Sequence, residues 1–440
     1  MDRMTINQLP TELVASILRF LDCSSSLHAR YIFEDPAKIL HDDKDAQKIF
    51  TSQIEESKSH LKNASLVCRL WRECLLSILF RHVIWKFERL ERPLPDEDPF
   101  TDVKELEWLR FIQRQGLSQH VESLAIIITY PEIKIGDDLS HHQHYGIQPS
   151  HMPASTGGNE RAGSQAQVED TPVWDNNWLW RTIFDHLDLS TITLVGSPCV
   201  LASLLGRPID LSAAWLFRQR FHILSLSRST PPSEPSQRQP LPPPLPLDSR
   251  SIPCDLFSIR EWTSLLINEG SSINAYSTYE YFNHTPPSLL PSLLDASNSS
   301  MSKLLSSLSS LSYIAIFPLS THIAETIIPN IPPLHRFYIQ IVPIQLNFSE
   351  KHPAIDINDF WVERNSAYAH LAMAIFDMQP SGAWVDLKVF ESGDSFDGEA
   401  WEMAIRFVVF NAGQRWRVGG DGIFIRREDE LTYLPLPTSS

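Results

Sequence analysis

The chain has 440 residues, 42% of them hydrophobic, which is enough to bury one large core or two or three smaller ones. Its 37 Lys and Arg against 53 Asp and Glu leave a formal net charge of −16, and no local cluster of basic residues offsets it. A surface this acidic repels phosphate backbones, which argues against direct nucleic-acid binding.

In chain order, the opening MDRMTINQLPTELV lacks the basic patch and apolar core of a signal peptide. The segment Leu9-Pro10-Thr11-Glu12-Leu13 then leads into Ile17, Leu18 and Leu21. Leu13, Ile17 and Leu21 share one helical stripe, with Leu9 one turn earlier, and Pro10 is cheap where a helix begins. Residues 23–62 are polar and read as an insertion. Ala64 to Trp71 (ASLVCRLW) opens a second amphipathic helix that Leu75 and Leu79 continue on the face begun by Cys68 and Trp71. Two helices this short cannot bury both faces alone; they need each other and a partner surface.

Further along, Glu105–Gln115 reads as helix and Val121–Thr129 as an apolar strand; Trp178–Leu187 reads as helix and Leu189–Val195 as strand. Residues 137–171 are rich in Gly, Ser, His and Gln, and 228–253 carry the run PPPLP; both read as flexible insertions. Ser297–Ser312 is Ser-rich, but Leu304, Leu305, Leu308 and Leu311 recur at helical spacing. Ala367–Met378 and Trp401–Phe410 read as helices, with Trp384–Phe390 and Ile423–Arg426 extended. No apolar run approaches the roughly 20 residues needed to cross a bilayer, so no membrane contact is expected. Cys23, Cys68, Cys74, Cys199 and Cys254 are scattered and odd in number. They read as reduced thiols of an intracellular protein, cytoplasmic and/or nuclear.

The two N-terminal helical segments resemble the F-box family. That motif opens on Leu-Pro-x-Glu-Leu with spaced Ile and Leu and closes on Val-Cys-Arg-x-Trp, matched here by Leu9, Pro10, Glu12, Leu13, Ile17, Leu18, Leu21 and then Val67, Cys68, Arg69, Trp71. The resemblance implies a small three-helix unit in residues 1–85 that inserts apolar side chains into the Skp adaptor and, through it, joins a cullin scaffold. The implied adaptor-binding residues are Leu9, Pro10, Leu13, Ile17, Leu18, Leu21, Val67, Cys68 and Trp71. The long 23–62 segment departs from the family's short connector; Ile54–Leu66, or partly Ile39–Phe50, is left to supply the middle helix. Without the resemblance, both halves also read as ordinary core helices.

Residues 86–440 would then recruit an unidentified protein substrate. The α/β alternation suggests an irregular leucine-rich-repeat-like solenoid with largely parallel strands and a concave strand face, or some other α/β domain. Its repeat core matches at Val121, Leu189, Phe221, Leu311, Leu334 and Trp384, although three apolar positions coincide by chance about thirty times in such a chain. Weaker signals have plainer readings. His141, His142 and His144 read as a solvated loop rather than a metal site, and Asp394, Asp397 and Glu399 as a solvated turn rather than a calcium loop. The PPPLP run reads as a linker, Gly419–Gly422 as a turn, and Cys68 as an inert thiol on an apolar helix face. No catalytic residue, metal site or cofactor is expected. The chain reads as a non-enzymatic substrate receptor or, alternatively, a scaffold that binds the adaptor without delivering a substrate.

Overall fold

The computed structural model describes residues 10–20, 59–87, 106–128, 176–217, 221–228, 254–295, 301–343, 356–377 and 382–427. Among the described residues three short helices come first: α1 (Thr11–Arg19), α2 (Ser59–Ser65) and α3 (Arg69–Leu79). They enclose a small core of Val14, Leu18, Leu61, Ala64, Leu75 and Ile78, with Trp71, Cys74 and Leu79 packed on it. The middle helix is the one foreseen within Ile54–Leu66; Ile39–Phe50, Leu9 and Leu21 lie outside the described residues.

Directly after α3 the chain enters β1 (His82–Phe87), so the boundary at 85/86 falls inside a strand. The strands that follow are β2 (Ser123–Ile128), β3 (Thr191–Gly196), β4 (His222–Ser227), β5 (Ser264–Ser271), β6 (Ser310–Ile316), β7 (Arg336–Gln340), β8 (Val389–Ser392), β9 (Trp416–Gly420) and β10 (Ile423–Arg426). They form one sheet in the order β1-β2-β3-β4-β5-β6-β7-β8-β10-β9. The fold is therefore mixed α/β on a mostly parallel sheet, with neighbours in sequence adjacent in space until the final pair.

Two features break the parallel run. β4 is antiparallel to both β3 and β5, and β10 is antiparallel to β8 and β9. The amino edges are laced by the residue before each strand: Glu122 N–H donates to Arg81 O at 2.8 Å, Thr263 N–H to Ser227 O, Ser309 N–H to Thr263 O and His335 N–H to Ser309 O, each of these at 2.9 Å. These bonds satisfy backbone groups where loops meet a buried sheet.

The larger helices are α4 (Glu107–Arg114), α5 (Asn177–His186), α6 (Pro198–Leu205), α7 (Ser302–Ser307), α8 (Ile357–Phe376) and α9 (Gly398–Ala412). α6 has Ser197 as its N-cap and ends on Gly206 in the left-handed region (φ 62°), a stop that suits a residue without Cβ. Several sequence expectations shift. The Ser-rich stretch yields only the six-residue α7, because Ser310 already begins β6. Trp384 sits in a 3-10 turn and β8 starts at Val389, while α8 begins ten residues before Ala367.

One core spans the sheet, with Trp180, Trp262, Phe257, Tyr313, Phe337 and Phe360 fully buried. The concave, open strand face expected of a solenoid is not found across β3–β6. Thr193, Ser225, Leu266 and Ser312 lie on the face opposite the aliphatic one, yet all four are buried, and Thr193 Oγ1 lies 2.8 Å from Ser225 Oγ. The insertion expected at 137–171, with His141, His142 and His144, and that expected at 228–253, apart from Arg228, lie outside the described residues.

Candidate functional site

The helical unit places its apolar residues on two sides. On α1, Val14 and Leu18 turn inward, whereas Leu13 (52% exposed), Ile17 (45%) and Phe20 face solvent. Pro10 sits at the N-cap and its carbonyl accepts from Leu13 and Val14 N–H at 3.0 and 3.1 Å, so its missing donor costs nothing there. Between α2 and α3, Leu66 and Val67 are also exposed. A protein surface tolerates isolated apolar residues, but Leu13 and Ile17 are two of the four large apolar residues of this nine-residue helix, and Phe20 at its C-cap extends their stripe.

The nine residues named from the sequence thus divide. Pro10, Leu13, Ile17 and Val67 are exposed and available to a partner. Leu18 is 1% exposed and fully committed to the internal core, behind the exposed stripe. Trp71 packs on that core as well, with an indole N–H that is buried and meets no acceptor among the described residues. Cys68 is not on an apolar helix face: it is the N-cap of α3, where its sulfur accepts from Trp71 N–H at 3.5 Å. Phe20 and Leu66 were missed; one lies a turn beyond Ile17 and the other directly precedes Val67, inside the two matched halves.

A second concentration of polar chemistry lies at the carboxyl edge of the sheet. Glu269 on β5 is fully buried and accepts from Tyr313 Oη at 2.7 Å, from His322 Nε2 at 3.0 Å and from the Ser288 hydroxyl. Burial opposes its ionisation, but the hydrogen bond and charge of His322, with His222 and Ser288, hold the carboxyl below its usual range. His222 beside it is pushed down to about 4, first by burial and further by His322, against the pull of Glu269. The Ser288 hydroxyl donates to the carboxylate rather than to an imidazole.

Asp394 is likewise buried, not a solvated turn. Its Oδ2 accepts from Ile341 N–H at 2.9 Å and Tyr368 Oη at 2.6 Å, and its Oδ1 from Val342 N–H at 3.1 Å. It fastens the end of β7 to α8, and desolvation raises its pKa to about 6 despite these donors. Asp397 is the N-cap of α9 and pairs with Arg364 at 2.6 Å, which holds its carboxyl below the usual range. Among the described residues no group of three His, Cys, Asp or Glu side chains is placed to hold a metal ion, and no helix is long and apolar enough to cross a membrane. In comparisons with known proteins, the chain matches no family model, no curated protein and no solved structure.

Proposed function

We propose that this chain is the substrate-recognition subunit of a Skp–cullin–F-box ubiquitin ligase, docking on the Skp adaptor through its N-terminal helices. The observation that carries the reading is the three-helix unit that buries Val14, Leu18 and Leu75 while leaving Leu13, Ile17, Phe20, Leu66 and Val67 in solvent. A unit with so small a core gains stability by covering such a stripe with a partner. The protein supplies proximity and orientation; catalysis belongs to other subunits.

The sheet is read as an irregular leucine-rich-repeat-like solenoid because its strands follow in sequence order. Reversed β4 and the closed face of β3–β6 depart from that pattern, so target recognition is assigned to the sheet's edges rather than its face. The decisive experiment is a pull-down of the full chain with the Skp adaptor. Wild type is expected to bind and the Leu13→Asp/Ile17→Asp variant to lose binding with its thermal unfolding unchanged. Absence of wild-type binding overturns the proposal. A ubiquitin-remnant comparison with and without the protein then separates receptor from scaffold, since only a receptor changes the modification of another protein.

A further inference from the structure

One group of exposed aromatic side chains lies at the carboxyl edge of the sheet, opposite the amino edge at which α3 runs into β1. Trp215 projects from the one-turn helix Ala214–Phe217 between β3 and β4; Tyr279, Phe282 and His284 follow β5. Tyr279 is 90% exposed, Trp215 59% and Phe282 53%. Two of these three exposed rings, Trp215 and Phe282, are braced from behind. Trp215 meets His284 edge-on at 6.0 Å, Phe282 leans edge-on against Tyr281 at 5.7 Å, and Tyr281 lies 4.6 Å from Tyr276, which in turn meets Phe360 of α8 edge-on at 4.6 Å. Rings held this way lose little entropy on binding, as binding anchors should.

Two further observations converge here. Among the described residues only Glu280 (φ 61°) and Phe317 (φ 45°) are non-glycine residues at positive φ, and both belong to this neighbourhood: Glu280 separates Tyr279 from Tyr281, and Phe317 stacks on Phe360 at 4.6 Å. Such strained backbone concentrates where a fold presents side chains for function. The segments that follow β5 and open α8 also carry charge of one sign, whereas Arg218 and Arg220, which follow Trp215 in the sequence, lie outside the described residues. No Lys or Arg occurs from Glu261 to Asp295 or from Asp356 to Glu363, whereas Glu280 and Asp356 are exposed and Asp359 partly so. Tyr281 registers this field, its phenol pushed up to about 12 by burial and then by Asp359 and Glu363.

We propose that this aromatic, carboxylate-rimmed surface receives a Lys- and Arg-bearing segment of the target protein, with guanidinium or ammonium groups seated over Trp215, Tyr279 and Phe282 and paired with Glu280 and Asp359. Ring quadrupoles and uncompensated carboxylates both favour a cation and repel an anionic partner. The assignment deepens the receptor reading and rests on it for its purpose, but binding itself needs no adaptor.

The test uses the full chain and fluorescent peptides of equal length that are Lys/Arg-rich, Asp/Glu-rich or uncharged, read by anisotropy. The basic peptide is expected to bind saturably and more weakly as salt rises. Tyr279→Ala/Phe282→Ala is expected to weaken it about tenfold, and Glu280→Gln/Asp359→Asn to weaken it while flattening the salt dependence. Phe410→Ala and Glu402→Gln on α9, an exposed ring and an exposed carboxylate elsewhere, should leave binding unchanged. Equal binding of the three peptides, no loss in the Tyr279/Phe282 variant, or equal loss in the α9 controls overturns the proposal. Adaptor capture, measured on the same proteins, reports separately on the N-terminal face.

Discussion

Leu18 and Leu13 are five residues apart and chemically identical, yet they do opposite work. Leu18→Ala removes a buried side chain from a six-residue core and is expected to cost about 2–4 kcal/mol, lowering the unfolding temperature of the helical unit. Leu13→Ala should change stability by less than about 0.5 kcal/mol and appear only in adaptor capture. The stripe was legible because helical spacing is local. Which of two adjacent stripes faces inward depends on α2 and α3 and cannot be read from α1 alone.

The buried titratable residues carry opposite pH signatures. His222 has its pKa lowered from 6.5 to about 4, so the unfolded chain binds more protons between those values; its contribution is full above 6.5 and is lost as pH falls toward 4. Asp394 is raised from 3.8 to about 6, so its contribution is present below 3.8 and is lost as pH rises through 6. Each slope is at most about 1.4 kcal/mol per pH unit, and the two offset across the shared window. Thermal melts from pH 4 to 7 should therefore show His222→Leu losing stability with rising pH relative to wild type. Asp394→Asn should instead be destabilised by about 1–3 kcal/mol at neutral pH, because one oxygen that accepts an N–H becomes a donor. A flat difference curve for His222→Leu would contradict the assignment. Nothing in the run Asp394–Glu399 announces burial; the donors that hold Asp394 come from residues 341, 342 and 368.

At the scale of elements, Cys68 is a poor cap. Its sulfur accepts at 3.5 Å where a hydroxyl or carboxylate would bond closer, so Cys68→Ser is expected to stabilise α3 by about 0.5–1 kcal/mol and raise the melting temperature. β10 was legible to the residue, since Ile423–Ile425 is a short run of β-branched and aromatic residues that follows a Gly-Asp-Gly turn. β5 and β9 were not. β5 ends in Asn268, Glu269 and Gly270, polar residues that locally read as loop and are satisfied only by partners such as Tyr313 and His322. β9 carries two glycines, which lower its strand propensity. A Cβ on Gly419 would lie 2.5 Å from Ile425 Cδ1, so a larger residue there would oblige that side chain to move.

For the whole molecule, the repeat pattern located strands without describing their arrangement. Leu124 and Ile126, Ile192 and Leu194, Leu224 and Leu226, Ile314 and Ile316, and Phe337 and Ile339 all lie on strands. Alternation, however, is blind to direction, and nothing in Phe221–Leu226 distinguishes reversed β4 from its parallel neighbours. Nor does the pattern disclose that the second face is closed, because Thr193, Ser225 and Ser312 are small polar residues that suit either environment. The link from β4 to β5 begins and ends at one edge, where Thr263 N–H meets Ser227 O. Replacing residues 231–250 with a short Gly-Ser linker should therefore leave the melting temperature unchanged or slightly raised, since each halving of a loop lowers its closure cost by about 0.6 kcal/mol.

Reversed β4 also makes the molecule divisible. Because β4 ends at Ser227 and β5 begins at Ser264 on the same edge, a cut within 231–250 severs none of the described strands and leaves β1–β4 in one piece and β5–β10 in the other. The two pieces would rejoin through the β4–β5 ladder together with contacts around it, among them the Arg181–Asp255 and Arg260–Asp188 ion pairs and the Phe184–Trp262 and Trp215–His284 ring contacts. Reporter halves fused to the new ends would turn that seam into a readout of whether the two pieces are assembled in a living cell.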